Sequence, residues 1–160
     1  MSKFAEKTSV PVERSKAEIE QIIIRYGATG FGSMWEGDKA VIIFKMQEKQ
    51  LKFILPLPDK IDERFTIKKT GRIHKTLSRR SEAEAYKLWQ QACRQLWRAL
   101  LLSVKAKLES VESGITSFEE EFLPHFVVPG DGRTVGEIMV PQLTYAYENN
   151  NKLPPLLGSC

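Results

Sequence analysis

The spacing of hydrophobic residues changes several times along the chain, and each spacing predicts a different element. Near the N-terminus Ile19, Ile22 and Tyr26 recur at steps of three and four residues, which is typical of a helix with one apolar face. Gly27 follows directly, and glycine readily adopts the left-handed conformation that ends many helices. We therefore predict a first helix over residues 15–26.

Three strand-like runs come next, at Ala28–Glu36, Lys39–Met46 and Gln50–Leu57. The Gly-Asp pair at 37–38 is a two-residue hairpin signal, and the polar residues at 47–49 suggest a slightly longer turn. The runs therefore predict an antiparallel meander. The middle run is apolar at consecutive positions, so we expect neither of its faces to be fully solvated.

A long periodic segment from Ser81 to about Glu112 predicts the main core helix. Its apolar positions lie at steps of three and four residues and are Trp89, Cys93, Leu96, Leu100, Val104, Leu108 and Val111. Two shorter helices are expected after it, and Pro141 predicts a kink or break in the last one. Four pairs with the spacing of a capping box mark the predicted helix starts: Ser15/Glu18, Ser81/Glu84, Ser117/Glu120 and Thr134/Glu137.

This order of elements predicts an α+β fold. A three-stranded antiparallel meander packs on helices in an α-β-β-β-α core, with two shorter C-terminal helices. We expect residues 1–148 to form one domain and residues 149–160 a flexible tail. No apolar run approaches the roughly 20 residues of a membrane span, and the N-terminus lacks the apolar stretch of a signal peptide. A soluble cytoplasmic protein is therefore expected.

The positive charge of the chain is concentrated in residues 58–80. This segment holds eight Lys and Arg against three Asp and Glu, a net charge of +5, whereas the whole chain carries +4. So polar and self-repelling a segment is not expected to build a core. We therefore predict a mobile basic loop that reaches toward an anionic partner, with nucleic acid as the first candidate.

The candidate nucleic-acid contacts follow from this loop and the helix after it. Lys and Arg make sequence-independent contacts with phosphates. Within the long helix, cations recur at helical spacing on the face opposite the apolar positions, with no acid among them. The expected phosphate contacts are Lys68, Lys69, Arg72, Lys75, Arg79 and Arg80 in the loop, and Lys87, Arg94 and Arg98 on the helix.

Aromatic side chains near this basic region can stack on unpaired bases. Trp35 lies at the mouth of the first predicted hairpin, where exposure is plausible, and Phe65 lies inside the polar loop. Phe31 and Trp97 are weaker candidates, because large aromatic residues dominate protein cores. We therefore add Phe65 and Trp35 to the candidate site.

Catalytic and metal-binding patterns have little support. The two histidines, His74 and His125, have no neighbours at triad or ligand spacing, and Cys93 and Cys160 form no disulfide framework or metal motif. An acidic Mg²⁺ centre in the 58–80 segment would be poorly preorganised on a loop. We therefore expect no enzyme, no metal and no cofactor.

Several segments resemble small uncharacterised proteins of tailed bacteriophages and prophages. They are the stretch from about Val12 to Asp59 with its RYGATGF and FILPLPD, the piece QACRQLWRALLLSVKAKLESVESGITSFEEEFLPH, and GRTVGEIMVPQ. The resemblance implies work inside an infected bacterium and transfers no catalytic residues. The element order is also similar to that of double-stranded-RNA-binding domains and of phage single-strand annealing proteins. The former differ in having a short connection where this chain has about 23 residues.

The sequence therefore predicts a non-enzymatic nucleic-acid-binding protein that favours single-stranded DNA, as an accessory of recombination or replication. Homo-oligomers are a further possibility, since subunits packed side by side would cover the second apolar face of the middle strand. The alternative is a phage protein that binds and inhibits a host defence or metabolic protein. In that case the basic loop would dock on an acidic protein surface.

Overall fold

Helices and a three-stranded antiparallel sheet build the protein, as the α+β prediction expects. The computed structural model describes residues 9–70 and 76–149. A second, two-stranded sheet accompanies the first. In chain order the elements are α1 (Val12–Arg25), β1 (Gly30–Glu36), β2 (Lys39–Met46), β3 (Lys49–Pro56), α2 (Glu63–Thr66), β4 (Ile67–Thr70), β5 (Thr76–Arg79), α3 (Glu82–Glu112), α4 (Phe118–Phe122) and α5 (Val135–Asn149).

The core lies between one face of the β1-β2-β3 sheet and the pair α1 and α3. Because side chains alternate along a strand, Ala40, Ile42, Phe44 and Met46 all point to this face, and all four are buried. The helices contribute Ile19 and Ile23 from α1, and Trp97, Leu101, Val104 and Leu108 from α3. The predicted meander and its two covering helices are therefore confirmed.

Two tight turns set the register of the meander. The first is the predicted Gly37-Asp38 turn, and Gly37 has the positive φ of 59° that such a turn requires. The second is one residue shorter than predicted. Gln47 and Glu48 both adopt positive φ, so Met46 pairs directly with Lys49 and β3 begins at that residue.

Three of the four predicted capping boxes are present, at Ser81/Glu84, Ser117/Glu120 and Thr134/Glu137. The fourth prediction is wrong, because α1 begins at Val12 after Pro11, and Ser15 is buried inside the helix. Proline presets a φ that suits the start of a helix. A helix start before Ser15 leaves Glu18 free to pair with arginines.

The segment predicted as a mobile basic loop contains a short helix at residues 63–66 and two strands at residues 67–70 and 76–79. Asp62 caps the short helix α2 by accepting a hydrogen bond from the backbone N–H of Arg64 at 2.9 Å. Strands β4 and β5 then pair antiparallel, with Ile67 opposite Arg79. We call this hairpin the basic ribbon. The candidate residues Arg72 and Lys75, together with His74, lie outside the described residues.

The C-terminal region packs against the far edge of the sheet. Val127 donates a backbone hydrogen bond to Gln50 at 2.8 Å, which attaches this part of the chain to β3. Helix α5 continues through Pro141, so the predicted break is absent, and none of its side chains is fully buried. Helix α5 is described as far as Asn149, the first residue of the predicted tail, and the rest of that tail lies outside the described residues. Within the described ranges, no helix is both long enough and apolar enough to cross a membrane.

Candidate nucleic-acid interface

The basic ribbon presents cations on both of its faces. Residues directly opposite each other in an antiparallel pair share a face, so Lys69 and Arg79 lie on the same face as Leu77. Lys68 lies on the other face, opposite Ser78. The side chains of Lys68, Lys69 and Arg79 are all exposed. The ribbon therefore holds these three positive charges on a defined backbone.

Arg80, the next candidate, acts inside the protein. Its guanidinium donates hydrogen bonds to the carbonyl oxygens of Arg64 and Phe65, each at 3.3 Å, and to that of Ile67. Its backbone N–H also donates to the carbonyl of Thr66 at 2.8 Å. Since these donors join α2 to the start of the ribbon, we assign Arg80 to holding the ribbon in place.

The expected exposure of Phe65 is wrong. Its side chain is only 5% exposed, and the guanidinium of Arg64 lies 4.6 Å from its ring centroid. A ring so enclosed cannot stack on a base. The polar sequence around Phe65 hides its role, which is to anchor α2 against the body of the protein, close to α3.

The cationic face of α3 is shorter than predicted. Arg98 forms a 2.6 Å ion pair with Glu18 of α1, and this hydrogen-bonded pair is the main cause of the lowered pKa of Glu18. The row of cations on α3 therefore does contact an acidic residue, Glu18, because α1 packs against α3. Arg94 keeps a neutral partner, donating to Gln91 Oε1 at 2.6 Å. Lys87 is exposed.

Glu84 connects the ribbon to this face of α3. Its carboxylate accepts hydrogen bonds from the backbone N–H and the hydroxyl of Ser81, both at 3.2 Å, and these bonds are the main cause of its lowered pKa. The ribbon leads directly into α3, because β5 ends at Arg79 and Ser81 caps the helix, and the positive charge of Lys68 lowers the pKa of Glu84 further. We call this set of cations the basic track; its residues are Lys68, Lys69, Arg79, Lys87 and Arg94, with Lys68 on the opposite face of the ribbon from Lys69 and Arg79.

The acidic helix α4 forms its ion pairs with lysines outside the basic track. Glu119 forms a 2.8 Å ion pair with Lys49, and Glu121 forms one at 2.9 Å with Lys107. Glu120 caps its own helix through Ser117. All three carboxyl groups have lowered pKa values, each mainly because of these hydrogen bonds. The charges of Glu119 and Glu121 are therefore balanced by lysines that do not belong to the basic track.

Exposed aromatic rings lie beside cations near the track. Trp35 is 57% exposed, as the sequence suggested, and the ammonium of Lys16 lies 5.1 Å from its ring centroid. Trp97 is fully buried in the core and cannot stack on a base, whereas Phe31 packs partly buried against the core.

Sequence reasoning missed two aromatic residues at the start of α3. Tyr86 is 50% exposed, and its ring stacks on that of Trp89 with centroids 5.6 Å apart. The ammonium of Lys60 lies 4.5 Å from the Trp89 ring. Two aromatic residues three positions apart on either side of Lys87 were the available signal. It was hidden because Trp89 also fits the apolar period of the helix.

Three residues of types often found in catalytic sites, His125, Cys93 and Asp59, lie in the described part of the chain. His125 is stacked on Phe53 with ring centroids 3.9 Å apart, and burial lowers its pKa to about 4. Burial raises the pKa of the Cys93 thiol, which disfavours the reactive thiolate. Asp59 accepts a local hydrogen bond from the backbone N–H of Ile61. Across residues 9–70 and 76–149, no group of three or more potential metal ligands comes together.

The sequence matches no family model, and comparisons with curated proteins and with solved structures give no match. The resemblance to phage proteins therefore stays a prediction.

Proposed function

We propose that this protein binds nucleic acid without catalysing a reaction, and that single-stranded DNA is its favoured ligand. The observation that carries the proposal is the basic ribbon, which presents the exposed side chains of Lys68, Lys69 and Arg79 on its two paired strands. The first turn of α3 extends this surface toward Lys87 and Arg94. Such cations bind phosphates without reading sequence, and they release counterions when they do so.

The preference for single strands rests on the aromatic residues beside the basic track. Proteins that bind single strands combine a cationic surface with rings on which unpaired bases stack. Trp35 and Tyr86 are at least half exposed. In keeping with the resemblance to phage proteins, we further propose that the protein acts in the cytoplasm of an infected bacterium, as an accessory of recombination or replication.

One observation favours a second candidate, binding to a host protein. Helix α5 exposes Val140, Leu143 and Tyr147, which recur at steps of three and four residues, and Tyr147 is 84% exposed. An apolar stripe of this kind is typical of a surface that packs against another protein. Under this alternative, α5 would dock on a host defence or metabolic protein, and binding would depend little on salt.

The test is fluorescence anisotropy with labelled single-stranded DNA, duplex DNA and duplex RNA at several salt concentrations. The Lys68→Ala/Lys69→Ala/Arg79→Ala variant removes three charges from the basic track. For single strands, log K falls with log salt by about 0.7 per phosphate contact. Five contacts therefore give a slope of about −3.5, and the variant is expected to reduce it to about −1.4.

The matched control removes three exposed cations away from the track, in the Arg25→Ala/Lys39→Ala/Lys45→Ala variant. It makes the same change in net charge, and we expect it to keep most of the affinity and the salt slope. If the protein binds none of the three nucleic acids at low salt, the proposal is wrong. Equal losses in the two variants would instead show that net charge alone, and not the ribbon, attracts the strand.

A further inference from the structure

A small cleft opens between the start of α1, the end of β1 and the second to fourth turns of α3. Its volume is about 240 Å³, and its walls include Val12, Trp35, Trp89, Cys93 and Arg94. Two indole rings and an apolar wall therefore face a space that has a guanidinium at its border. Arg94 also belongs to the basic track, so the cleft and the track are continuous.

The Trp89 ring is held in place from outside the cleft, and the Trp35 ring contacts Lys16. Trp35 pairs with Ala40 across the sheet and points to the core face, but it lies beyond the edge of the core beside Lys16. The Trp89 indole N–H donates a hydrogen bond to the carbonyl of Pro58 at 2.8 Å. Stacking with Tyr86 fixes the Trp89 ring further. Rings that are already oriented lose little entropy when a ligand binds.

The packing of the core does not depend on the rings of Trp35 and Trp89. The buried core consists of other residues and includes Trp97 as its tryptophan, whereas Trp35 and Trp89 are outside it. Leaving the greater part of an indole in water forgoes a favourable burial of apolar surface. A flat ligand that covers Trp35 would recover that free energy.

The chemistry of the cleft fits a nucleobase. Its walls offer aromatic faces for stacking, and the three cations Lys16, Lys60 and Arg94 in and around the cleft outnumber the one carboxylate in its lining, that of Glu13. Pockets for drug-sized ligands usually have volumes of about 300–1,000 Å³. A cleft of about 240 Å³ is below that range, so a single planar ring system suits it better than a larger ligand.

We propose that this cleft holds one unpaired base of a strand whose phosphates follow the basic track, an inference that rests on the proposed function. Glu84, near Lys68, and Arg94 are ten residues apart on α3, a rise of about 15 Å. This distance corresponds to about four nucleotides at the spacing of a stacked strand. One strand can thus contact the ribbon and the cleft at once.

The experiment compares two oligonucleotides of equal length and charge, oligothymidylate and an abasic strand. Wild-type protein is expected to bind oligothymidylate more tightly, because only that strand has bases to stack. Trp35→Ala should weaken oligothymidylate binding by about 5-fold to 150-fold, the effect of losing one base stack. The same substitution should leave binding of the abasic strand unchanged.

Two further variants separate stacking from a structural effect. Met34→Ala is the matched control, because Met34 precedes Trp35 on the opposite face of β1 and is 50% exposed. It should leave both affinities unchanged. Trp35→Phe keeps an aromatic face and should restore much of the oligothymidylate affinity. Oligothymidylate should also quench the tryptophan fluorescence of the wild type, whereas the abasic strand should not.

The outcomes distinguish the cleft from the proposed function. Equal binding of the two strands by wild-type protein would overturn the inference about the cleft and leave phosphate binding by the basic track intact. A Trp35→Ala variant that loses both strands would also overturn it, since the residue would then act only on the fold. Failure of both strands to bind wild-type protein at low salt would overturn both proposals.

Discussion

Arg79 and Arg80 are neighbours of the same type, yet the fold gives them different surroundings. Residues alternate in direction along a strand, so Arg79 extends from the ribbon into solvent. Arg80 follows the end of the strand, and its guanidinium turns back to the carbonyls of Arg64, Phe65 and Ile67. Both residues count equally toward the charge of the segment, but only Arg79 is available to a ligand.

Separate substitutions of the two arginines should therefore affect different properties, stability for Arg80 and DNA binding for Arg79. Arg80→Ala is expected to lower the free energy of unfolding by about 1–2 kcal/mol, because it removes charge-assisted hydrogen bonds to partly buried carbonyls. Arg79→Ala should change the stability by less than about 0.5 kcal/mol and should weaken DNA binding. Urea unfolding of both variants, with anisotropy on single-stranded DNA, measures the two effects. Equal stabilities would contradict the assignment of Arg80.

At the scale of elements, helix starts are determined by which residue is positioned to satisfy the first backbone N–H groups. Ser81 does so for α3, where its side chain and that of Glu84 form the complete capping box. Ser15 and Glu18 have the same spacing but lie inside α1, because Pro11 precedes an earlier start at Val12. The buried Ser15 hydroxyl has no hydrogen-bond partner in the described part of the chain.

Alanine substitutions should separate the two serines. Ser81→Ala removes a helix cap and is expected to lower the free energy of unfolding by about 0.5–2 kcal/mol. Ser15→Ala should leave the stability unchanged or raise it, because it removes a buried hydroxyl without breaking a cap. Thermal and urea unfolding report both values. A loss on Ser15→Ala as large as that on Ser81→Ala would contradict the start of α1 at Val12.

The whole molecule is expected to lose stability in acid in two stages. Burial is the main cause of the lowering of the His125 pKa from 6.5 to about 4, and the nearby positive charge of Lys107 lowers it further. The unfolded chain therefore binds a proton at His125 below pH 6.5, which the folded protein takes up only near pH 4. The contribution of His125 to the free energy of unfolding is therefore fully present above pH 6.5, and it is lost as the pH falls to about 4.

Carboxylates with lowered pKa values act in the same direction at lower pH. For Glu18, Glu119 and Glu121 the main cause is a hydrogen bond to a cation. The stability that they contribute is present above the ordinary glutamate pKa. It is lost as the pH falls through their folded pKa values.

His125→Phe should remove the first stage and keep the second. Phenylalanine preserves a ring that can stack on Phe53 but does not titrate. In the wild type, the free energy of unfolding should fall by up to about 3 kcal/mol between pH 6.5 and 4. In the variant it should be nearly constant down to about pH 5. Urea unfolding at half-unit pH intervals measures both curves, and identical curves would show that His125 is not the group responsible.

The sequence by itself determined the elements whose signals are local. Apolar residues at strand and helix spacing, together with adjacent turn residues and capping pairs, correctly predicted the meander and the helix from Ser81. These signals work because a backbone conformation and its nearest hydrogen-bond partners lie within a few residues of each other. The local charge excess at residues 58–80 likewise correctly marked an exposed cationic surface, with Lys68, Lys69 and Arg79 on it.

Tertiary structure alone decided which of these residues are available to a partner. Phe65 is buried, Arg98 is paired with Glu18, and Arg80 holds the ribbon. Each of these outcomes depends on contacts with residues that are far away in the sequence. The same packing leaves Trp35 and Trp89 facing one cleft. Burial and ion pairing depend on which elements meet in space. The spacing of residues within one segment does not show which other elements that segment will contact.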